Sequence, residues 1–188
     1  MTRPALHNLG YRIWNQSRLA KHVDAYLQVY EEIEDHDHRN APIPSGLFAP
    51  IRVLRQTAYH SLIVHLDMID SGQGVSLRKL IFEAQREGKI DSNVERALSD
   101  KLDAHSRVLK NIKHQRNSLV AHRSEKHTFR EIRDKYPITT SELRALAETY
   151  YEIAAALCIA VPFYDIWKRE DQRANTKTLL ALLAAQGA

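Results

Sequence analysis

Chemistry in this 188-residue chain concentrates in one octet, Arg116-Asn117-Ser118-Leu119-Val120-Ala121-His122-Arg123. Arg116 carries a permanent planar cation whose paired donors match a phosphate group. Asn117 both donates and accepts hydrogen bonds. His122 has a side chain whose ordinary pKa, ~6.5, lets it take or give a proton at cellular pH. These three residue types are sufficient to cut RNA without a metal. The imidazole removes the proton from a ribose 2′-hydroxyl, the guanidinium offsets charge building on the phosphorus oxygens, and a 2′,3′-cyclic phosphate results. Asn117 would hold the phosphate or orient Arg116. His114 and Arg123 flank these residues and are further candidates for phosphate contact. A structural reading competes: Arg116 pairs with a carboxylate of another helix, His122 sits at a helix C-terminus where a cation is favoured, and the flanking pair is simply solvated.

The octet must be positioned by the segment before it. Val94, Leu98, Leu102, His105, Leu109 and Ile112 recur at steps of three and four, which puts them on one helical face. Arg116 and Leu119 are the next positions of that stripe. A guanidinium thus falls where an aliphatic residue is expected, so this face meets something anionic or has reached the rim of the core. Arg116 and His122 are six apart. On an unbroken ideal helix they would diverge by about 120° over a rise of roughly 9 Å. Convergence needs the helix to end near Ala121, or two copies of the chain to share a site.

Glycine and proline mark the rest of the architecture. Gly10, Gly46, Gly72, Gly74 and Gly88 fall between periodic segments, and no segment alternates as a half-buried strand would. The expectation is an all-α antiparallel four-helix bundle with extra short helices, forming a single domain over residues 1–188. A first long helix is predicted over Ser17 to Asp37, with Leu19, Val23, Tyr26, Tyr30 and Ile33 inward. A second is predicted over Ile51 to Ile69. A short helix from Leu77 to Arg86 is capped by Ser76 and stopped at Gly88. Ser92-x-x-Glu95 reads as a capping box opening the third long helix, which carries the octet. Residues Ser124 to Pro137 lack a period and read as a loop. Thr139-x-x-Glu142 opens the fourth long helix, which Pro162 should kink or interrupt. A short amphipathic tail follows from about residue 174.

Composition narrows the function classes. Lys plus Arg number 27 against 23 Asp plus Glu, a mild net charge of +4 compatible with an anionic partner. The lone Cys158 permits no intrachain disulfide and sits in an apolar run as a small core residue. No segment is long and apolar enough to span a membrane, and the N-terminus lacks the apolar run of a signal peptide, so a cytoplasmic protein is expected. Ten histidines invite a metal reading, yet no Glu-x-x-His occurs and no two histidines are four apart. Glu34-Asp35-His36-Asp37-His38 therefore reads as a solvated helix end, and neither a metal nor another cofactor is expected. His65 is expected to be a hydrogen-bonded core residue or to approach the octet, and His105 to be structural.

The octet resembles the signature of the HEPN superfamily, in which an Arg followed by a polar residue precedes a His by four to six residues at the end of a bundle helix. The chain from about residue 15 to 170 also resembles the AbiU-type HEPN proteins of abortive-infection systems. That wider likeness rests on the Tyr59-His60-Ser61-Leu62 to Ile69-Asp70 helix, the Ser76-Leu77-Arg78-Lys79-Leu80 segment and the octet. The resemblance implies a homodimer with the motif facing across the interface. It implies RNA as the partner, with His122 as base or acid, Arg116 on phosphate and Asn117 positioning them. It further implies a place in phage defence or a toxin–antitoxin pair, beside a nucleotidyltransferase or small-protein antitoxin. Some toxin members carry a modifiable Tyr two residues after the His. Ser124 stands there in this chain, which argues against control by modification at that residue. A non-catalytic module of the same fold that binds RNA or a partner protein is the alternative, and a metal-dependent bundle enzyme ranks below both.

Overall fold

A computed structural model describes residues 8–38, 48–71, 75–121, 128–163, 176–178 and 180–181. Among the described residues seven α-helices have defined bounds: α1 Leu9–His38, α2 Phe48–Ser71, α3 Leu77–Arg86, α4 Ser92–Asp103, α5 Ser106–Arg116, α6 Phe129–Lys135 and α7 Thr140–Ala160. A π-helical turn, Asn117–Ala121, continues α5. No strand occurs among the described residues. The fold is the all-α bundle expected.

α1 lies at the centre, packed on α2 and α7, while α5 packs on α2. Cross-helix contacts fix the directions. Tyr30 meets Tyr59 with ring centroids 5.2 Å apart, and Arg55 pairs with Glu34 at 3.5 Å, so α1 and α2 run antiparallel. Lys101 bonds Glu152 at 2.6 Å and His105 bonds Thr149 at 3.0 Å, so α4 runs antiparallel to α7. The core between them holds Ile13, Val23, Leu27, Leu62, Leu66, Leu102, Leu146 and Leu157, all fully or almost fully buried. Burial of each such side chain is worth roughly 1.5–3 kcal/mol, which outweighs helix propensity in fixing this arrangement.

Ser76 caps α3 by accepting from the Lys79 amide, and Gly88 takes a positive φ of 67° beyond its end, as expected. Thr139 and Glu142 form the capping box of α7, as expected. Four expectations need correction. α1 begins at Leu9 rather than Ser17, and Gly10 lies inside it. A Cβ at Gly10 would stand 3.0 Å from the Phe163 Cβ, so glycine lets the chain after α7 rest on the first turn of α1. The cap of α4 is Asp91, whose carboxylate accepts from the Asn93 and Val94 amides at 2.8 and 2.9 Å, so Ser92 is already helical. The third long helix is broken at Ala104 and His105, where the His105 amide bonds the Leu102 carbonyl in a tighter turn. Part of the expected 124–137 loop is helix α6. Thr128 and Glu131 form a second complete capping box, the same pattern as at residues 139 and 142, and Ile132 is buried beneath it. Residues 124–127 of that stretch lie outside the described residues. α7 ends at Ala160, two residues ahead of Pro162. Leu180, in the expected tail, is buried against Ile33 and Ile51.

Candidate functional site

Regular α-helical bonding stops at Arg116, and the octet runs into the wider π turn. A π turn takes more residues per revolution than an α turn, so successive side chains advance by a smaller angle, and such turns recur at functional sites. The widening at Asn117–Ala121 is neither the helix end nor the unbroken α-helix that residue spacing offers. His122 and Arg123 lie outside the described residues, as does Ser124.

After Ile112 the steps of three and four lead to Gln115 and Arg116, and the fold buries the first of the two. Gln115, not Arg116, is the next fully buried position after Ile112. The Tyr59 hydroxyl donates to Gln115 Oε1 at 2.8 Å, and Gln115 Nε2 donates to the Tyr136 carbonyl at 2.6 Å. One buried amide thereby ties α5 to α2 and to the segment between α6 and α7, with both its ends satisfied. Burial raises the Tyr59 hydroxyl pKa, an effect the Gln115 hydrogen bond opposes. Gln115 was not singled out from sequence. Its spacing of three from Ile112 is the available signal, and Arg116, four from Ile112, satisfies the same rule.

With its neighbour anchored, Arg116 is carried to the rim. Its side chain remains 45% exposed; Nε lies 3.5 Å from Asp67 Oδ2, and Nη1 donates to Asn117 Oδ1 at 3.1 Å. Both readings of the interrupted stripe hold: the helix has reached the edge of the core, and it meets a carboxylate there. Asp67 on α2 is itself largely buried, with 10% side-chain exposure. One turn on, Asp70 lies 3.8 Å from Arg78, and burial pushes its carboxyl pKa up. Asn117 is exposed and linked to Arg116. Those two of the three expected catalytic residues are therefore adjacent, solvent-facing and hydrogen-bonded.

The flanking candidate His114 stacks on Tyr136, with centroids 4.8 Å apart and planes 12° from parallel. Its ring is fixed beside the octet and only half-buried. His65 faces the opposite way: its Nδ1 is 2.7 Å from the Ser61 carbonyl, and its ring lies against His22 and Tyr26 of α1. It does not join the octet. His105 is structural, bonded to Thr149 and held below the usual imidazole pKa by burial. The side chains of His36 and His38 lie outside the described residues. No group of three metal-capable side chains exists among those described, nor is any helix among them long and apolar enough to cross a membrane.

An all-helical bundle with Arg-Asn ahead of His at the end of a bundle helix is the HEPN class of domain. A family model described as AbiU2 matches residues 17–177, and the chain belongs to this AbiU-type HEPN family. No match was found among curated proteins or among solved structures.

Proposed function

We propose that this chain is a metal-independent endoribonuclease of a phage-defence or toxin–antitoxin system. The observation that carries the reading is Arg116, held at the rim by contacts that leave its guanidinium open to solvent, immediately before a π-helical segment that precedes His122 in sequence. In the reaction the 2′-oxygen forms a bond to phosphorus and the bond from phosphorus to the 5′-oxygen breaks. His122 takes the 2′-proton or returns one to the leaving oxygen. Arg116 binds the phosphate and offsets its developing charge, while Asn117 orients the guanidinium through the hydrogen bond it already accepts. Two copies pair with their octets facing, so that each site draws on both chains.

The test is cleavage of single-stranded RNA in excess EDTA by wild type and His122→Ala, with light scattering on the same samples. The reading expects a species of twice the chain mass, cleavage that survives the chelator, and a loss of ~10²–10⁴-fold in His122→Ala with most affinity retained. Binding of RNA without cleavage by either protein would favour the non-catalytic module. Activity lost to EDTA and restored by zinc or manganese would favour a metal enzyme.

A further inference from the structure

α2, α6 and the start of α7 enclose an open groove of about 570 Å³, well apart in sequence from the octet on the α2 side. Three arginines line it, Arg55, Arg130 and Arg133, against one carboxylate, Asp134. The three are held differently. Arg55 pairs with Glu34 at 3.5 Å, and Arg130 lies 3.8 Å from Asp134 on the surface, with 91% of its side chain exposed. Arg133 sits over the rings of Tyr59, Phe129 and Tyr30 at 5.0, 5.7 and 5.9 Å, and among the described residues no carboxylate pairs with it. A cation held on ring faces is fixed in place while its charge stays available to an incoming anion.

The floor of this groove is continuous with the octet. Tyr59, beneath Arg133, is the residue whose hydroxyl donates to Gln115, the neighbour of Arg116. The π turn packs on α6, which supplies Phe129, Arg130 and Arg133. The π turn thus follows directly on Arg116 and packs on the helix that carries two of the groove's arginines.

We infer that the groove between α2 and α6 is a second phosphate-binding subsite, which holds the backbone of a single RNA strand whose scissile phosphate lies at the octet. The inference rests on the ribonuclease reading and adds to it a strand path and three residues outside the octet. Guanidiniums spaced along a groove suit successive phosphodiesters, each contact releasing a counterion, and the aromatic floor fixes the central one.

The experiment compares wild type, Arg130→Glu and Arg133→Gln. Arg130 is so exposed that its substitution leaves the core intact, which guards against a folding artefact at the stacked Arg133. Cleavage is measured on a dinucleotide and on a strand of about 16 nucleotides, together with salt-dependent binding of the longer strand. Each variant should lower kcat/KM and affinity for the long strand roughly tenfold and reduce the salt slope by ~0.7 per lost contact, with dinucleotide cleavage unchanged. Wild-type rates and slopes in both variants overturn the subsite while leaving the nuclease reading intact. Equal losses on both lengths overturn it as well, since they indicate a general charge effect. Competition by poly-glutamate as strong as that by RNA would assign the groove to an acidic protein and overturn it. A wild-type protein that binds RNA without cutting still tests the subsite through the salt slope, and one that neither binds nor cuts RNA removes both readings.

Discussion

Arg116 and Arg144 are the same side chain put to different use. Arg144, on α7, donates through Nε to Glu31 at 2.9 Å and through Nη1 to Asp24 at 3.3 Å, and its Nη2 closes a second contact on Glu31. Its exposure is 22%, and its partners are at 4% and 16%. The fork is closed on two carboxylates and joins α7 to α1. Arg116 meets one carboxylate at 3.5 Å and one neighbouring amide, with nearly half its side chain in water. An arginine that holds helices together is neutralised from both sides. An arginine available to a ligand is steadied from one side and left open on the other.

The comparison requires that Arg116 be placed by something other than its own contacts, and Gln115 is the residue that does so. Gln115→Leu leaves the Tyr59 hydroxyl and the Tyr136 carbonyl without their buried partner. It should cost about 2–4 kcal/mol, read by urea unfolding. A loss below ~1 kcal/mol would mean that the octet is held elsewhere. Arg144→Ala removes the guanidinium from Asp24 and Glu31 in the seam, while Gln28 still donates to Asp24 at 2.8 Å. Breaking a fully buried pair costs ~3–5 kcal/mol, and the residual exposure here lowers the expected loss to about 2. Arg116→Ala should cost about 1 kcal/mol in the same assay, less than Arg144→Ala, because its guanidinium is half in water and meets a single carboxylate at 3.5 Å. Equal losses at 116 and 144 would erase the distinction.

The smallest effect concerns the seam along α7. Burial holds His105 below its ordinary pKa of 6.5, and the same holds for His60 and His22. A depressed folded-state pKa means that the unfolded chain binds protons first as pH falls. Stability is therefore complete above pH 6.5 and is lost as pH drops through the folded-state values. His105→Gln should flatten part of that acid limb in thermal unfolding, and an unchanged limb would remove His105 from the account.

The bundle was legible in sequence because its signals are local and additive: the capping residues Ser76 and Thr139, Gly88 beyond a helix end, and apolar stripes over α2 and α7. Errors arose where tertiary contacts override periodicity. Steps of three and four from Ile112 reach Gln115 and Arg116 alike, and packing against Tyr59 and the Tyr136 carbonyl selects Gln115 as the inward one. Gly10 suggested a boundary, yet it serves a close approach by Phe163 within a helix. α6 was overlooked because seven residues show too little period, although its Thr128-x-x-Glu131 box was as readable as the one at Thr139. Of the site, the residue types were legible. The π turn was not, since nothing in residue spacing distinguishes it from a continuing α-helix.

Single-turnover cleavage of single-stranded RNA by Arg116→Ala in excess EDTA, with thermal unfolding of the same sample, tests the central claim most directly. The account predicts wild-type product ending in a 2′,3′-cyclic phosphate or its opened monophosphate, cleavage slowed at least ~10²-fold in the variant, and a nearly unchanged unfolding temperature. Undiminished cleavage by Arg116→Ala, or a wild-type product ending in a 3′-hydroxyl, would contradict it.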